Sequence, residues 1–185
     1  MRLLGIAAHP ADAAELCGRS FARYAAEGTQ VTLLCAGADG WSAAAGKAVI
    51  QRLGVRDLVL LDYTCEASAA SDLEAAIRDV LAGMEPHVVV ADQQSATLAR
   101  AALQAFSRVR HGIGGSAALP AKFYYRAAPG SPAVQVTTAI SVGHSQPPEL
   151  FIRAYPTPWV TGVVERDLFA GIADGLWAQE ERLAS

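Results

Sequence analysis

The chain has 185 residues, 52% of them hydrophobic and 18% charged, with a formal net charge of -3. At roughly 150 residues per domain this predicts one domain over 1–185, large enough to close a core without a disulfide or metal staple. Its 18 carboxylates outnumber 15 Lys and Arg and no basic run exceeds two residues, which excludes nucleic acid and an anionic membrane surface as main partners.

The opening run Arg2–Ala8 is apolar and ends at His9-Pro10, too early for a secretory leader, so it reads as a strand. Helical spacing follows over Ala11–Gly28, with Leu16, Phe21, Tyr24 and Ala25 on one face. Gln30–Ala36 is a second strand, Ser42–Leu53 a second helix with Gly54 as its C-cap, and Leu58–Leu61 a third strand. Ser71–Gly83 is helical, with Ser71 as N-cap and Glu74 at capping-box spacing. His87–Ala91 is a fourth strand and Ala96–Arg110 a fourth helix.

Beyond Gly112 the pattern changes. GIGGSAALP reads as a linker, Lys122–Arg126 and Val134–Ser141 as two strands, and Gly143–Pro148 as a turn-rich loop. Arg153–Gly162, broken by prolines, is irregular, and Glu165–Leu183 closes the chain as a helix. No stretch approaches the roughly 20 apolar residues of a membrane span. Three cysteines, Cys17, Cys35 and Cys65, without CxxC spacing fit the reduced thiols of a cytoplasmic protein.

Nearly unbroken apolar strands alternating with helices mark a parallel sheet covered on both faces. The expected fold is therefore α/β, a Rossmann-like three-layer sandwich with a mainly parallel sheet. Ligands of such sheets bind past the carboxyl ends of the strands. There the chain places His9 and Asp12 after the first strand and Asp39 after the second. Asp62 and Tyr63 follow the third, and Asp92, Gln93, Gln94 and Ser95 the fourth. Four strands deliver a carboxylate or His to one rim, which points to a site for a polar small molecule. For any one of these residues the plainer role is a loop or helix-cap group.

In AAHPADAAELCG, Pro10 turns the chain from strand to helix and leaves His9 at the tip, with Asp12 in the first helical turn. An imidazole and a carboxylate so placed suit a zinc-type ion, and Asp12 equally suits the positive end of a helix.

These residues carry a resemblance. A strand, then Ala8-His9-Pro10, Asp12, Cys17-Gly18 and the ARYA helix of Ala22–Ala25 looks like the opening of the PIG-L (LmbE-like) de-N-acetylases. LGVRDLVLLDY and EPHVVVAD match that family's third and fourth strands, and Lys122-Phe-Tyr-Tyr125 a later one. The resemblance covers roughly residues 2–128, with ERDLF near the end. It implies a Rossmann-like zinc enzyme that removes acyl groups from amino sugars and related thiols.

It also implies A-H-P-D-D as the opening motif, whose His and second Asp bind zinc and whose first Asp is the general base. Here His9 and Asp12 keep the ligand positions, and Ala11 stands at the base. Losing a positioned base costs about 10²–10⁴-fold in rate. The family's H-P-D-H, source of its third ligand, is replaced by Ser95-Ala96-Thr97-Leu98. A catalytic zinc takes three protein ligands and one water, so two ligands leave zinc weak or absent.

The leading expectation is a divergent PIG-L-fold protein, with degraded motifs, that binds an amino-sugar-like or N-acyl compound. Gln93, Ser95 and Asp62 are the candidate substrate contacts. A rival reading rebuilds the metal site from His9, Asp12 and His144 of the GHSQ loop, with Asp92 or Asp39 as base, as an active C–N hydrolase. A third reading, a non-catalytic partner subunit or homo-oligomer, uses Phe151 and Trp159 as exposed aromatic anchors. His87 and His111 read as structural. Cys17 and Ser95 lack the surroundings of a nucleophile, and the first strand lacks the GxGxxG of a dinucleotide site.

Overall fold

The apolar runs and the helix-period stretches between them fold as alternating strands and helices. The structure is a computed structural model and describes residues 1–37, 43–63, 70–112, 120–127, 131, 136–142, 146–155, 165–170 and 172. In chain order its elements are β1 (Arg2–Ala7), α1 (Asp12–Ala26), β2 (Gln30–Cys35), α2 (Ala43–Leu53), β3 (Asp57–Leu60) and α3 (Ala70–Met84). They continue with β4 (Val88–Ala91), α4 (Ala96–Arg110), β5 (Lys122–Arg126), β6 (Thr138–Ile140) and β7 (Glu149–Tyr155).

All seven strands join one sheet in the order β3-β2-β1-β4-β5-β7-β6. The first five neighbours pair in parallel, and β7 is antiparallel to both β5 and β6. The two faces of the central strands bury different partners, as the period-2 geometry of a strand requires. Leu3, Val31, Leu33, Val88, Val90 and Tyr124 face α1, packing with Leu16, Phe21 and Tyr24. Leu4, Ile6, Leu34, Val89 and Phe123 face α3 and α4, packing with Leu73, Ile77, Leu81, Ala105 and Phe106. The expected three-layer α/β architecture is the one observed. Among the described residues no helix is long and apolar enough to cross a membrane.

Several details depart from expectation. β7 begins just after the expected turn-rich loop, covers residues to which no element was assigned, and takes in the first three residues of the stretch expected to be irregular. Its buried positions are Glu149, Phe151 and Arg153, so charges interrupt the apolar pattern that would have marked a strand. The Glu149 carboxylate accepts the amides of Arg19 at 3.3 Å and Ser20 at 2.9 Å, in the middle of α1. Phe151 is fully buried and so cannot be an exposed anchor, and Trp159 lies outside the described residues.

Ser71 is not a cap, because α3 already begins at Ala70; Glu74 instead pairs with Arg108 of α4. The described part of the sixth predicted strand is extended only over Thr138–Ile140. Glu165 does not open a helix. It bridges Thr138, and the chain then turns over 168–170. Its side chain is the reason: the carboxylate is drawn into the sheet, where Lys122 and Arg153 donate to Oε1 and Tyr124 and Thr138 to Oε2. Gly54 does follow α2 in the left-handed region, at φ +63°.

Candidate functional site

The chain order of the sheet reverses between β1 and β4, the neighbours at its centre. Connections leave the carboxyl ends of those two strands in opposite directions and open a crevice there. A cavity of about 700 Å³ occupies this place. Asp12, Glu15 and Leu16 of α1 form one wall, and Asp92, Gln93 and Gln94 after β4 form the floor. Arg126 and Ala127 at the end of β5, Ser131, and Pro148 and Leu150 at the start of β7 complete it.

The first turn of α1 is built by main-chain and carboxylate bonds together. The Asp12 amide donates to the His9 carbonyl at 3.0 Å, and the His9 amide donates to Asp12 Oδ2 at 3.0 Å. Ala11, the N-cap, supplies no side-chain bond, and the Asp12 carboxylate closes the turn that leads into the helix. The His9 ring turns toward the end of β2, where a Cβ on Gly37 would come 2.9 Å from its Cε1 atom. It lies on the β2 side of β1 and does not line the cavity. Asp12 also adds its negative charge to the burial that pushes the Cys35 thiol up to about 12.

Asp92 is 6% exposed, and its Oδ1 accepts the Gln94 amide at 3.0 Å, which folds the loop after β4. Arg126 donates from Nη1 to the Leu150 carbonyl at 2.8 Å, and its guanidinium lies 5.3 Å from the centre of the Phe151 ring. Ser95 caps α4 by accepting the Leu98 amide at 3.3 Å and does not line the cavity. Asp62, exposed after β3, stands two strands from β1 and does not line it either. Asp39 and His144 lie outside the described residues.

The structure therefore brings together Asp12, Asp92 and Gln93. It adds Glu15, Arg126 and the start of β7, which sequence reasoning did not place here. Glu15 was within reach of that reasoning, since it follows Asp12 by one helical turn. Arg126 was too, as the last residue of a strand parallel to β4. The β7 wall carried no such signal.

A tetrahedral zinc site needs three protein donors and an open position. Among the described residues no group of three His, Cys, Asp or Glu is assembled that could hold a metal ion. The Asp12 Oδ2 atom is already an acceptor of the His9 amide, and the His9 ring lies against Gly37. The described residues do not make a zinc site.

No protein-family model matches the chain, and no curated protein matches it. Solved structures do. The conserved protein TT1542 from Thermus thermophilus superposes with a TM-score of 0.68 at 17% identity, over 85% of this chain and 96% of that one. GalB, the 4-carboxy-2-hydroxymuconate hydratase from Pseudomonas putida KT2440, superposes with a TM-score of 0.53 at 19% identity, over 69% and 65%. A deacetylase of teicoplanin biosynthesis has a TM-score of 0.47 at 20% identity, over 68% and 66%. The chain thus spans just under two thirds of the hydratase and of the deacetylase. At these identities the likeness is one of fold, and a fold does not fix an activity.

Proposed function

We propose that this chain is a divergent PIG-L-fold protein that binds a polar small molecule, an amino-sugar-like or N-acyl compound, in the cavity beside β1 and β4. On this reading the zinc de-N-acetylase chemistry implied by the opening motif has been lost or rebuilt. The observation that carries it is the cavity itself. It lies at the sheet's switch point, measures about 700 Å³, and presents Asp12, Glu15, Asp92, Gln93, Gln94 and Arg126 to one volume. Small-molecule pockets span roughly 300–1,000 Å³ and combine apolar walls with a few convergent polar groups. Leu16, Pro148 and Leu150 are the apolar part. The carboxylates and the Gln carbonyls accept from hydroxyls and amines, and Arg126 and the Gln amides donate to carbonyl oxygens.

Ala11 between His9 and Asp12 supports the loss of hydrolysis, since an alanine accepts no proton. Asp92, the replacement base suggested by position, already spends one oxygen on its own loop. The test has two parts: metal analysis of protein purified without added zinc, and titration with N-acetylglucosamine and glucosamine. Far less than one zinc per chain, no acetate released, and sugar binding weakened about tenfold by Asp92→Asn are the expected results. Near-stoichiometric zinc that disappears on His9→Ala overturns the degraded-site reading in favour of a working hydrolase.

A further inference from the structure

We infer that the ligand of this cavity carries two opposite charges, an ammonium group and a carboxylate, as an amino acid or an amino-sugar acid does. The inference rests on the proposed function and narrows its ligand class.

Its basis is an Asp and an Arg that are neighbours yet unpaired. The β4–β5 ladder ends with Ala91 opposite Tyr125. Asp92 and Arg126 are therefore the next residues of two adjacent parallel strands, and both line the cavity. Opposite charges so placed ordinarily close on each other. Here each is held by its own contacts instead. Arg126 is drawn toward β7 by the Leu150 carbonyl and the Phe151 ring, and Asp92 toward its loop by the Gln94 amide. Among the described residues no ion pair joins Arg126 to any carboxylate.

The arrangement keeps a guanidinium and a carboxylate apart on one concave surface, with Asp12 and Glu15 reinforcing the negative side from α1. A guanidinium fork matches a carboxylate with two parallel hydrogen bonds. A buried carboxylate at 6% exposure gains most from an ammonium that brings its own charge. An anion alone would meet three carboxylates in the same volume, and a cation alone would leave Arg126 unanswered. A ligand with both charges satisfies both ends at once.

Calorimetric titration of the full chain with three probes tests this. D-glucosaminic acid has both charges, D-glucosamine only the ammonium, and D-gluconate only the carboxylate. Glucosaminic acid is expected to bind at least about tenfold more tightly than either of the others. Arg126→Gln should lower its affinity to that of glucosamine, and Asp92→Asn to that of gluconate. If glucosaminic acid binds no better than glucosamine, the two-charge inference falls while the cavity remains a sugar site. If none of the three probes nor N-acetylglucosamine binds, the proposed function falls with it. The comparison on the unaltered chain decides the matter even where a variant loses its fold.

Discussion

The ring of Phe21 on α1 lies so close over Gly5 in β1 that a Cβ at position 5 would stand 2.4 Å from its Cε2 atom and 2.6 Å from Cζ. Phe21 is fully buried among the core side chains beneath α1, so its ring yields only if those neighbours shift. Gly5→Ala must therefore push helix from sheet or force the ring off its rotamer. The expected loss is about 1–3 kcal/mol, read as a lower urea midpoint with an unchanged slope. A midpoint equal to the parent's would contradict so tight a contact.

Glu165 is the shared acceptor of Lys122, Arg153, Tyr124 and Thr138 in the buried space beside β5 and β6. Glu165→Ala takes the carboxylate from two cations that are almost wholly buried, Lys122 at 1% and Arg153 at 5% exposure. Removing one partner of a buried pair costs about 3–5 kcal/mol, more than the pair itself adds. Urea denaturation should register a loss of about 3 kcal/mol or more. A loss under about 1 kcal/mol would mean that this cluster is not held together through Glu165.

How much of this was legible in the sequence depends on where apolar side chains carry the signal. β1, β2, β4 and the helices between them were readable because strands buried on both faces are nearly continuous runs of Val, Leu, Ile and Ala. β7 was not, because two of its inward positions are Glu149 and Arg153, whose burial depends on partners distant in sequence. Glu165 misled in the same way. It looks like the acidic first turn of a helix until Lys122, 43 positions away, is known to face it. The site followed this division: Asp12 and Asp92 were placed by strand order, while the wall from Pro148 to Leu150 came with the unread strand.

Cys35 ends β2, fully buried. Burial first, and the Asp12 charge second, push its thiol from 9.0 up to about 12. At about pH 8 its thiolate population is thus lowered about a thousandfold, and the thiolate is the form that alkylates. Peptide mapping after iodoacetamide should find Cys35 unmodified in the folded chain and modified in urea. Equal labelling in both states would contradict its burial under α1.

His87 precedes β4 at the end of the sheet away from the cavity, and its Nδ1 accepts the Arg2 amide at 3.2 Å. Burial, then the Arg2 charge, lower its pKa below the usual 6.5. The unfolded chain therefore takes up this proton first as pH falls. The stability contributed by neutral His87 is complete above about 6.5 and is lost as pH drops toward the lowered folded value. Urea midpoints at about pH 7.5 and about pH 5.5 should differ more for the parent than for His87→Asn, which keeps an acceptor and cannot be protonated. Identical differences would remove His87 as the source of that slope.

The bond from Glu149 to the amides of Arg19 and Ser20 ties two segments about 130 positions apart. Synthesis runs from the N-terminus, so Pro148 to Leu150 are the last residues of the cavity lining to be made and close it only once the earlier walls exist. Contacts so distant along the chain are slow to form, because their ring closure must come before any reward. A molecule that fits the cavity grips only the completed state and draws the equilibrium toward it.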